Sequence, residues 1–170
     1  MRVAFFSDSH GDAYALRLAM ETVLKLGQVD LFAFLGDGVQ DFYDLKDWAK
    51  SQNPQARFEA VRGNNDPMRP GLSDEAVINA GGVWLYLSHG HRERVKLTLW
   101  FLADKAKDRD CRVALFGHTH VAFSGEKDGI LLLNPGSVSM PVGSGPTCGV
   151  LDIGTKGELV PQIISVRTHL

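Results

Sequence analysis

Apolar residues cluster in short runs along this chain, and polar residues follow each run closely. Five such runs are Val3–Phe6, Leu31–Leu35, Phe58–Val61, Val83–Leu87 and Val113–Phe116. Continuous apolar stretches of this length are typical of strands covered on both faces. The polar residues that follow recur at intervals of 27, 27, 25 and 29 residues: His10, Asp37, Asn64, His89 and His118. Each interval accommodates one strand, one helix or return strand, and loops, so these side chains are expected to converge on one rim of a sheet.

The first half of the chain alternates strands with helical patterns. Asp12 can cap a helix, and apolar residues at helical spacing mark one face of it: Leu16, Ala19, Met20, Val23 and Leu24. Gly27 suits the C-terminal end of this helix. A second helix is predicted over residues 40–51, with Phe42, Leu45 and Ala49 at helical spacing, followed by a strand over 57–61.

The second half is richer in strands. Strands over 76–79 and 83–87 flank Gly81-Gly82 and are predicted to form a hairpin. A helix is predicted over 93–107, and the remaining predicted strands are 112–116, 121–124, 130–133, 148–153 and 162–167. This order predicts an α/β fold with two packed mixed β-sheets flanked by helices. No linker or repeat divides the chain, so residues 1–170 are predicted to form a single domain.

Composition and charge argue against several classes of partner. The chain has 170 residues and a net charge of -2, so no strong basic field attracts nucleic acid and stable nucleic-acid binding is not expected. Cys111 and Cys148 lie outside any Cys-x-x-Cys pair, as in a cytosolic protein with reduced thiols. No apolar run approaches the ~20 residues that cross a bilayer, and Met1–Phe6 is too short for a signal peptide. We therefore expect a cytoplasmic protein without a membrane partner, and a homo-oligomer is compatible with this composition.

The polar residues after the apolar runs are suited to binding metal. The candidate ligands are Asp8, His10, Asp37, Asn64, His89, His118 and His120. Each motif alone has a simpler explanation, such as a turn cap at Asp8 or a loop histidine at His89. Gly117-His118-Thr119-His120 is more specific, because two imidazoles after a buried strand are costly to desolvate without a partner. Ligands gather beyond the carboxyl ends of strands in open α/β sheets, so the joint pattern predicts a metal site.

The order Asp-x-His, Gly-Asp, Gly-Asn, His, Gly-His-x-His resembles the calcineurin-like metallophosphoesterase superfamily. The likeness covers essentially the whole chain, which is most similar to the small single-domain bacterial and archaeal phosphodiesterases. It implies a four-layer α/β/β/α sandwich and two divalent metal ions. The ligands would be Asp8, His10, Asp37 and His120 for one ion, and Asp37, Asn64, His89 and His118 for the other, with Asp37 bridging. Mixed carboxylate, imidazole and amide ligands suit Mn²⁺, with Fe, Zn²⁺ or Ni²⁺ as alternatives.

The resemblance implies a phosphodiesterase in which a metal-bridging hydroxide attacks a small phosphodiester. Two divalent ions facing two carboxylates and a hydroxide leave about one positive charge, which fits a diester better than a monoester. Asn64, Arg62 and Arg92 are candidate substrate-binding residues, although each arginine could be a solvated surface residue. Loops around Met68–Leu72 and Met140–Pro146 are expected to shape substrate choice. The alternatives are a phosphomonoesterase or nucleotidase with the same metals, and a non-catalytic scaffold similar to the small retromer subunit.

One motif departs from the superfamily pattern. The third motif usually reads Gly-Asn-His, with the histidine protonating the leaving group, whereas Asn65 stands there in this chain. An amide is not a general acid at neutral pH, and losing one costs roughly 10²–10⁴-fold in rate for poor leaving groups. His91 is the candidate replacement, the alternative being a loop histidine packed against the next helix. Asn134-Pro135-Gly136-Ser137 is interpreted as a structural loop, and Asp12 and Asp66 as cap and turn residues.

Overall fold

A computed structural model of the protein describes residues 1–166. These residues form three helices, α1 (Ala13–Leu24), α2 (Val39–Gln52) and α3 (Trp100–Asp108). Their ten strands are β1 (Arg2–Phe6), β2 (Leu31–Phe34), β3 (Arg57–Ala60), β4 (Glu75–Ala80), β5 (Val83–Ser88), β6 (Val113–Leu115), β7 (Ala122–Lys127), β8 (Ile130–Pro135), β9 (Thr147–Ile153) and β10 (Leu159–Ser165). None of the three helices in this part of the chain is long and apolar enough to cross a membrane.

The strands form two five-stranded mixed sheets. The first sheet has the order β10-β9-β1-β2-β3, and the second has the order β4-β5-β6-β8-β7. In the first sheet β1, β2 and β3 are parallel, with Val3 paired to Leu31. In the second sheet β5, β6 and β8 are parallel, with Leu85 paired to Val113. The carboxyl ends of the parallel strands therefore share one edge within each sheet.

Three apolar layers hold the helices and sheets together. Along β1, Val3 and Phe5 pack between the two sheets, whereas Ala4 and Phe6 pack with the apolar faces of α1 and α2. On the far side of the second sheet, Tyr86 packs in the layer that α3 covers. This alternation follows the two-residue period of a strand. It produces the four layers of helices, sheet, sheet and helix that the sequence and its resemblance predict, and that prediction is confirmed.

The third helix is shorter than the sequence pattern predicts. A helix over 93–107 is wrong for its first turns, because α3 begins at Trp100. The Glu93 carboxylate is buried and accepts a 2.7 Å hydrogen bond from the Lys105 ammonium group. Arg94 has a left-handed φ of 54°, which no helix contains. These two features hold the segment before α3 in turns.

The other predicted elements are present, with shifts at their ends. Asp12 caps α1 as expected, since its carboxylate accepts a 2.9 Å hydrogen bond from the backbone N–H of Ala15. The strand predicted over 121–124 begins one residue later and continues to Lys127. The strand predicted over 162–167 corresponds to β10, and Arg167 lies outside the residues that the structure describes.

Candidate metal centre

The loops after the parallel strands bring six of the seven predicted ligands into two groups. The first group is Asp8, His10 and His120, and the second is Asp37, His89 and His118. Within each group, one potential ligand atom per residue lies within 4.8 Å of the others. Each group combines side chains that follow strands of both sheets. The two sheets therefore build the site jointly, at the edge where their parallel strands end.

The two groups adjoin one another through their carboxylates. Oδ2 of Asp37 lies 3.4 Å from Nε2 of His89 and 3.9 Å from Nε2 of His10. Oδ1 of Asp8 lies 3.1 Å from Nε2 of His120 and 3.9 Å from Nε2 of His89. Each carboxylate oxygen thus faces imidazoles of both groups, so the two groups form one contiguous cluster of candidate ligands.

Asp8 and His89 fit a metal because each presents a buried atom that has no hydrogen-bond partner among residues 1–166. Oδ2 of Asp8 accepts hydrogen bonds from Ser7 Oγ at 2.6 Å and from the backbone N–H of His118 at 3.1 Å. Oδ1 of Asp8 and Nε2 of His89 are the unsatisfied atoms. Burying such a group without a partner costs about 1–3 kcal/mol. A cation between them would satisfy both.

Backbone carbonyls fix the tautomers of two imidazoles. Nδ1 of His89 lies 2.6 Å from the carbonyl oxygen of Leu35, and Nδ1 of His120 lies 2.7 Å from that of Met140. Because a carbonyl only accepts, each Nδ1 donates its proton, and the neutral ring keeps a lone pair on Nε2. Nε2 of His120 also lies 3.2 Å from Nε2 of His10. These Nε2 atoms face the carboxylates, as they do when histidine binds metal.

Asn65 holds both oxygens of the Asp37 carboxylate. Its backbone N–H donates to Oδ1 at 2.8 Å, and its side-chain amide donates to Oδ2 at 2.7 Å. Burial acts to raise the pKa of Asp37, but the close approach and charge of His89, together with the two Asn65 donors, hold it well below its usual range. Asp37 is therefore ionised at neutral pH, as a metal ligand must be.

The protein environment shifts the pKa values of two imidazoles in the second group in opposite directions. Burial lowers the pKa of His118 to about 4, and the nearby charges of His89 and Lys96 act in the same direction. His118 is therefore neutral at pH 7. Burial also acts to lower the pKa of His89, but the nearby Asp37 carboxylate and the negative charges of Asp8 and Asp37 outweigh it and raise this pKa. The two carboxylates thus favour positive charge between them.

Five candidate ligands have a left-handed backbone. Their φ angles are 58° at Asp8, 48° at His10, 59° at Asp37, 66° at His118 and 59° at His120. Residues other than glycine seldom adopt such angles. Each costs of order 1–3 kcal/mol and persists only where the surrounding structure imposes it. The strand-end loops are therefore strained at the residues whose side chains converge.

Asp66 is a positioning residue that the sequence interpretation treated only as part of a turn. Its carboxylate accepts four backbone N–H groups, from Asp37 at 2.7 Å, Gly63 at 2.8 Å, and Gly38 and Val39 at 2.9 Å. The side chain thereby ties the loop after β2 to the loop after β3. Three of these partners lie 27 to 29 residues away, so no local sequence signal indicated the role.

Further polar side chains brace the loop after β1. Asp41, which is buried on α2, accepts hydrogen bonds from Ser9 Oγ at 2.6 Å and from the backbone N–H of Gly11 at 2.9 Å. Ser137 Oγ donates to the backbone carbonyl of Asp8 at 2.7 Å. The loop that contains Ser137 thus supports the position of a candidate ligand, in line with its interpretation as structural.

The remaining predicted site residues lie at the rim of the centre. Asn64 is exposed, and within residues 1–166 no hydrogen bond holds its side chain, so its role as a ligand stays a prediction. The ring of His91 lies 5.5 Å from that of His89 and 6.1 Å from that of His118, measured between centroids. Nδ1 of His91 is buried without a hydrogen-bond partner in the part of the chain described. His91 is therefore placed beside the second group.

The two predicted substrate-binding arginines share one carboxylate. Nη2 of Arg62 lies 2.6 Å from Oδ1 of Asp74, and Nη1 of Arg92 lies 2.8 Å from Oδ2 of Asp74. Arg62 is largely covered, whereas 61% of the Arg92 side chain is exposed. Both guanidinium groups face a cleft next to the metal centre rather than the ligands themselves.

Comparisons with known proteins relate the chain to phosphoesterases. A sequence model of the calcineurin-like phosphoesterase superfamily domain matches residues 1–156. The chain is similar to the probable metallophosphoesterase YsnB of Bacillus subtilis, with 33% identity over 143 residues, covering 83% of this chain and 77% of YsnB. It is also similar to the phosphodiesterase MJ0936 of Methanocaldococcus jannaschii, with 27% identity over 169 residues, covering 92% of this chain and 95% of MJ0936.

Solved structures share the architecture. A single mutant of Vps29 from Entamoeba histolytica superposes with a TM-score of 0.69 and 22% identity, covering 96% of this chain and 98% of that one. At this level of identity the similarity establishes the common fold, which carries different functions in different proteins.

Proposed function

Because the chain belongs to the calcineurin-like phosphoesterase superfamily, we propose that it is a metal-dependent phosphodiesterase with a dinuclear centre. The proposed ligands are Asp8, His10, Asp37 and His120 for one ion and Asp37, Asn64, His89 and His118 for the other. The mixture of oxygen and nitrogen donors favours Mn²⁺ among divalent ions.

The observation that carries this proposal is the approach of Asp8 and His89. Oδ1 of Asp8 lies 3.9 Å from Nε2 of His89, and both atoms are buried without a hydrogen-bond partner in the described chain. A purely structural aspartate–histidine pair would close to hydrogen-bond distance, near 2.7–3.0 Å. The wider separation, with both lone pairs directed inward, is suited to a cation.

Two divalent ions held at this centre would lower the pKa of water to provide a nucleophile at neutral pH and would offset charge on the phosphate. The protein residues fix the ligands in advance. Ser7 and the backbone of His118 orient Asp8, and Asn65 orients Asp37. Such preorganisation reduces the free energy that substrate binding must otherwise supply.

A preference for diesters follows from the charge of the proposed centre. With Asp8 and Asp37 as its carboxylates, two divalent ions and a hydroxide leave about one positive charge, which matches the single charge of a diester. The name of MJ0936, a phosphodiesterase that covers 92% of this chain, points in the same direction.

Protonation of the leaving group is expected to be the slow step of the proposed reaction. His91 remains the candidate donor, because it lies beside His89 and His118. Burial and the charge of His89 lower the pKa of His91, so its ring is mostly unprotonated at neutral pH and seldom carries a proton to donate. With Asn65 at the usual donor position, we expect slow turnover of esters that have poor leaving groups.

The test is the hydrolysis of bis(p-nitrophenyl) phosphate and p-nitrophenyl phosphate, with and without Mn²⁺. We expect the wild type to cleave the diester faster, and only with metal. Asp37→Ala should reduce this rate at least ~10²-fold, whereas Asp47→Ala, at an exposed position on α2, should retain it. Negligible rates for wild type and Asp37→Ala with Mn²⁺, Zn²⁺ and Ni²⁺ would contradict the enzymatic proposal. Faster cleavage of the monoester would favour the phosphomonoesterase alternative.

A non-catalytic interaction scaffold, the other alternative, would give a different result in the same ester assays. A protein that uses this fold only for interaction has no requirement for converging lone pairs, whereas Asp8 and His89 present them in a buried centre. The intact pair of ligand groups therefore favours the enzyme. Metal binding without hydrolysis of either ester would favour the scaffold.

A further inference from the structure

A cleft of about 480 Å³ opens beside the candidate metal centre, and its lining is strongly cationic. The charged residues that line it are Arg62, Arg69, Arg92, Lys105, Arg109, Asp74 and Glu75. Five cationic side chains thus face two carboxylates, in a chain whose net charge is -2. The positive charge is local to this cleft and would attract an anionic ligand.

The cleft and the metal centre share the loops after β3 and β5. Arg62 directly precedes Gly63, whose backbone packs so closely on Asp37 that a Cβ would collide with the carboxylate. Arg92 directly follows His91, which lies beside the second ligand group. The cleft and the candidate metal centre are therefore joined through two shared loops.

Three of the cations that line the cleft, Arg62, Arg69 and Arg92, are incompletely neutralised. Asp74 pairs with both Arg62 and Arg92, so one carboxylate faces two guanidinium groups. Arg69 donates to the neutral side chain of Gln40 at 3.0 Å. A guanidinium has five N–H donors, and these contacts use only some of them. Donors therefore remain for a ligand.

The other two cations that line the cleft, Lys105 and Arg109, are balanced by carboxylates. Lys105 and Arg109 both pair with Glu75, and Lys105 also pairs with the buried Glu93 at 2.7 Å. Two cations there face two carboxylates. The excess positive charge is therefore concentrated at Arg62, Arg69 and Arg92.

We propose that this cleft binds a second phosphate group of the substrate, so that the preferred substrate is a phosphodiester that carries an additional terminal phosphate. The inference rests on the proposed phosphodiesterase function. Arginine binds phosphate through paired N–H donors more specifically than lysine does. The volume of about 480 Å³ is that of a small-molecule site rather than of one phosphate. Met68 and Leu72, which also line the cleft, offer apolar contact to the part that joins the two phosphates.

The first test compares two esters with the same leaving group, thymidine 5′-(p-nitrophenyl phosphate) and its 3′-phosphorylated form, in the presence of Mn²⁺. We expect the additional phosphate to raise kcat/KM about tenfold, mainly through KM. Arg69→Gln combined with Arg92→Gln should remove this advantage, at roughly threefold for each of the two cations. Lys50→Gln, which removes one positive charge at an exposed residue outside the cleft, should preserve it. Equal kcat/KM values for the two esters with the wild type would overturn the proposal while leaving the phosphodiesterase function standing.

A second measurement covers the case in which neither ester is hydrolysed, so that the proposed function itself fails. Binding of inorganic pyrophosphate to the full chain is then measured by calorimetry in the presence of a chelator, which removes the metals as a competing site. We expect wild type and Lys50→Gln to bind with similar affinity, and the double arginine variant about tenfold more weakly. No binding by the wild type, or the same affinity in all three proteins, would contradict a phosphate site in the cleft. Stronger binding at low salt is also expected, because the attracting charges are exposed.

Discussion

Asn65 donates its side-chain amide to Oδ2 of Asp37 at 2.7 Å, and the same oxygen faces Nε2 of His89 at 3.4 Å. Asn65 thus orients the carboxylate that we propose as the bridge, at the position where the resemblance to the superfamily implies a proton-donating histidine. Asn65 can fill the first of these roles, whereas an amide is not a general acid at neutral pH. The first prediction separates the two roles.

Replacing Asn65 by Ala removes one of the two donors to Asp37 and should reduce Mn²⁺ affinity about 10-fold, since partners of metal ligands typically contribute 10–100-fold. Replacing Asn65 by His should raise the rate for a diester with a poor leaving group relative to one with an activated leaving group. Metal titration and paired kinetic assays measure the two effects. An unchanged ratio of rates in Asn65→His would argue that no proton donor is missing.

Metal should stabilise the folded protein through the Asp8 carboxylate. A ligand that binds only the folded state at 100 times its Kd adds about 2.7 kcal/mol to the free energy of unfolding, which corresponds to a rise of several degrees in Tm. We expect Mn²⁺ to raise the Tm of wild type and of Asp47→Ala, and to have little effect on Asp8→Ala. Thermal unfolding with increasing Mn²⁺ measures this. Equal shifts in wild type and Asp8→Ala would place the bound metal elsewhere.

The Asp66 carboxylate should be among the most important polar groups for stability. Asp66→Ala leaves four backbone N–H groups without their acceptor, and we expect it to lower the free energy of unfolding by about 3–5 kcal/mol. Asp12→Ala removes a helix cap and should cost about 1 kcal/mol. Urea denaturation compares the two variants. If Asp66→Ala lowers the free energy of unfolding no more than Asp12→Ala does, water accepts the four backbone hydrogen bonds in place of the Asp66 carboxylate.

The ion pair between Glu93 and Lys105 should make the free energy of unfolding depend on pH. Glu93 lies in the segment before α3 where a helix was predicted. Burial acts to raise the pKa of Glu93, but hydrogen bonds from Lys105 and Ser88 outweigh it and lower the pKa below its usual value of 4.5. A carboxyl whose pKa is depressed in the folded state contributes stability that is present above pH 4.5 and is lost as the pH falls through the folded-state pKa.

Glu93→Gln should therefore reduce the free energy of unfolding by about 1–3 kcal/mol at pH 7, and the difference from wild type should narrow below pH 4.5. Urea denaturation at pH 7 and at pH 3.5 tests this. Glu126→Gln, at an exposed position on β7, is the matched control and should behave as wild type. If the free energies of unfolding of wild type and Glu93→Gln differ by the same amount at both pH values, the ionised Glu93 carboxylate is not the source of the difference.

The sequence carried most of the information about the strands. Continuous apolar runs such as Leu31–Leu35 are buried on both faces, and only a strand inside a layered fold satisfies that requirement. Once five such strands are parallel or nearly so, the polar residues that follow them must meet at one edge. Six of the seven predicted ligands, from Asp8 to His120, accordingly lie together.

What the sequence could not indicate depends on contacts between distant residues. Glu93 and Arg94 have ordinary helix-forming side chains, and only the buried contact with Lys105 shows why the helix starts later. Asp66 sits in a turn like many aspartates, and its role appears only when the loop after β2 folds over it. The cationic cleft likewise draws its lining from several separate segments of the chain.

A left-handed backbone lowers the stability of the protein at five residues that we propose to bind metal: Asp8, His10, Asp37, His118 and His120. Glycine adopts such φ angles at little cost, so replacing any one of these residues by glycine would relieve strain of order 1–3 kcal/mol while removing a candidate ligand. Selection for a more stable protein alone would therefore erode the centre one residue at a time. All five positions carry side chains that converge on the candidate centre, so the strain coincides with the residues that we propose to bind metal.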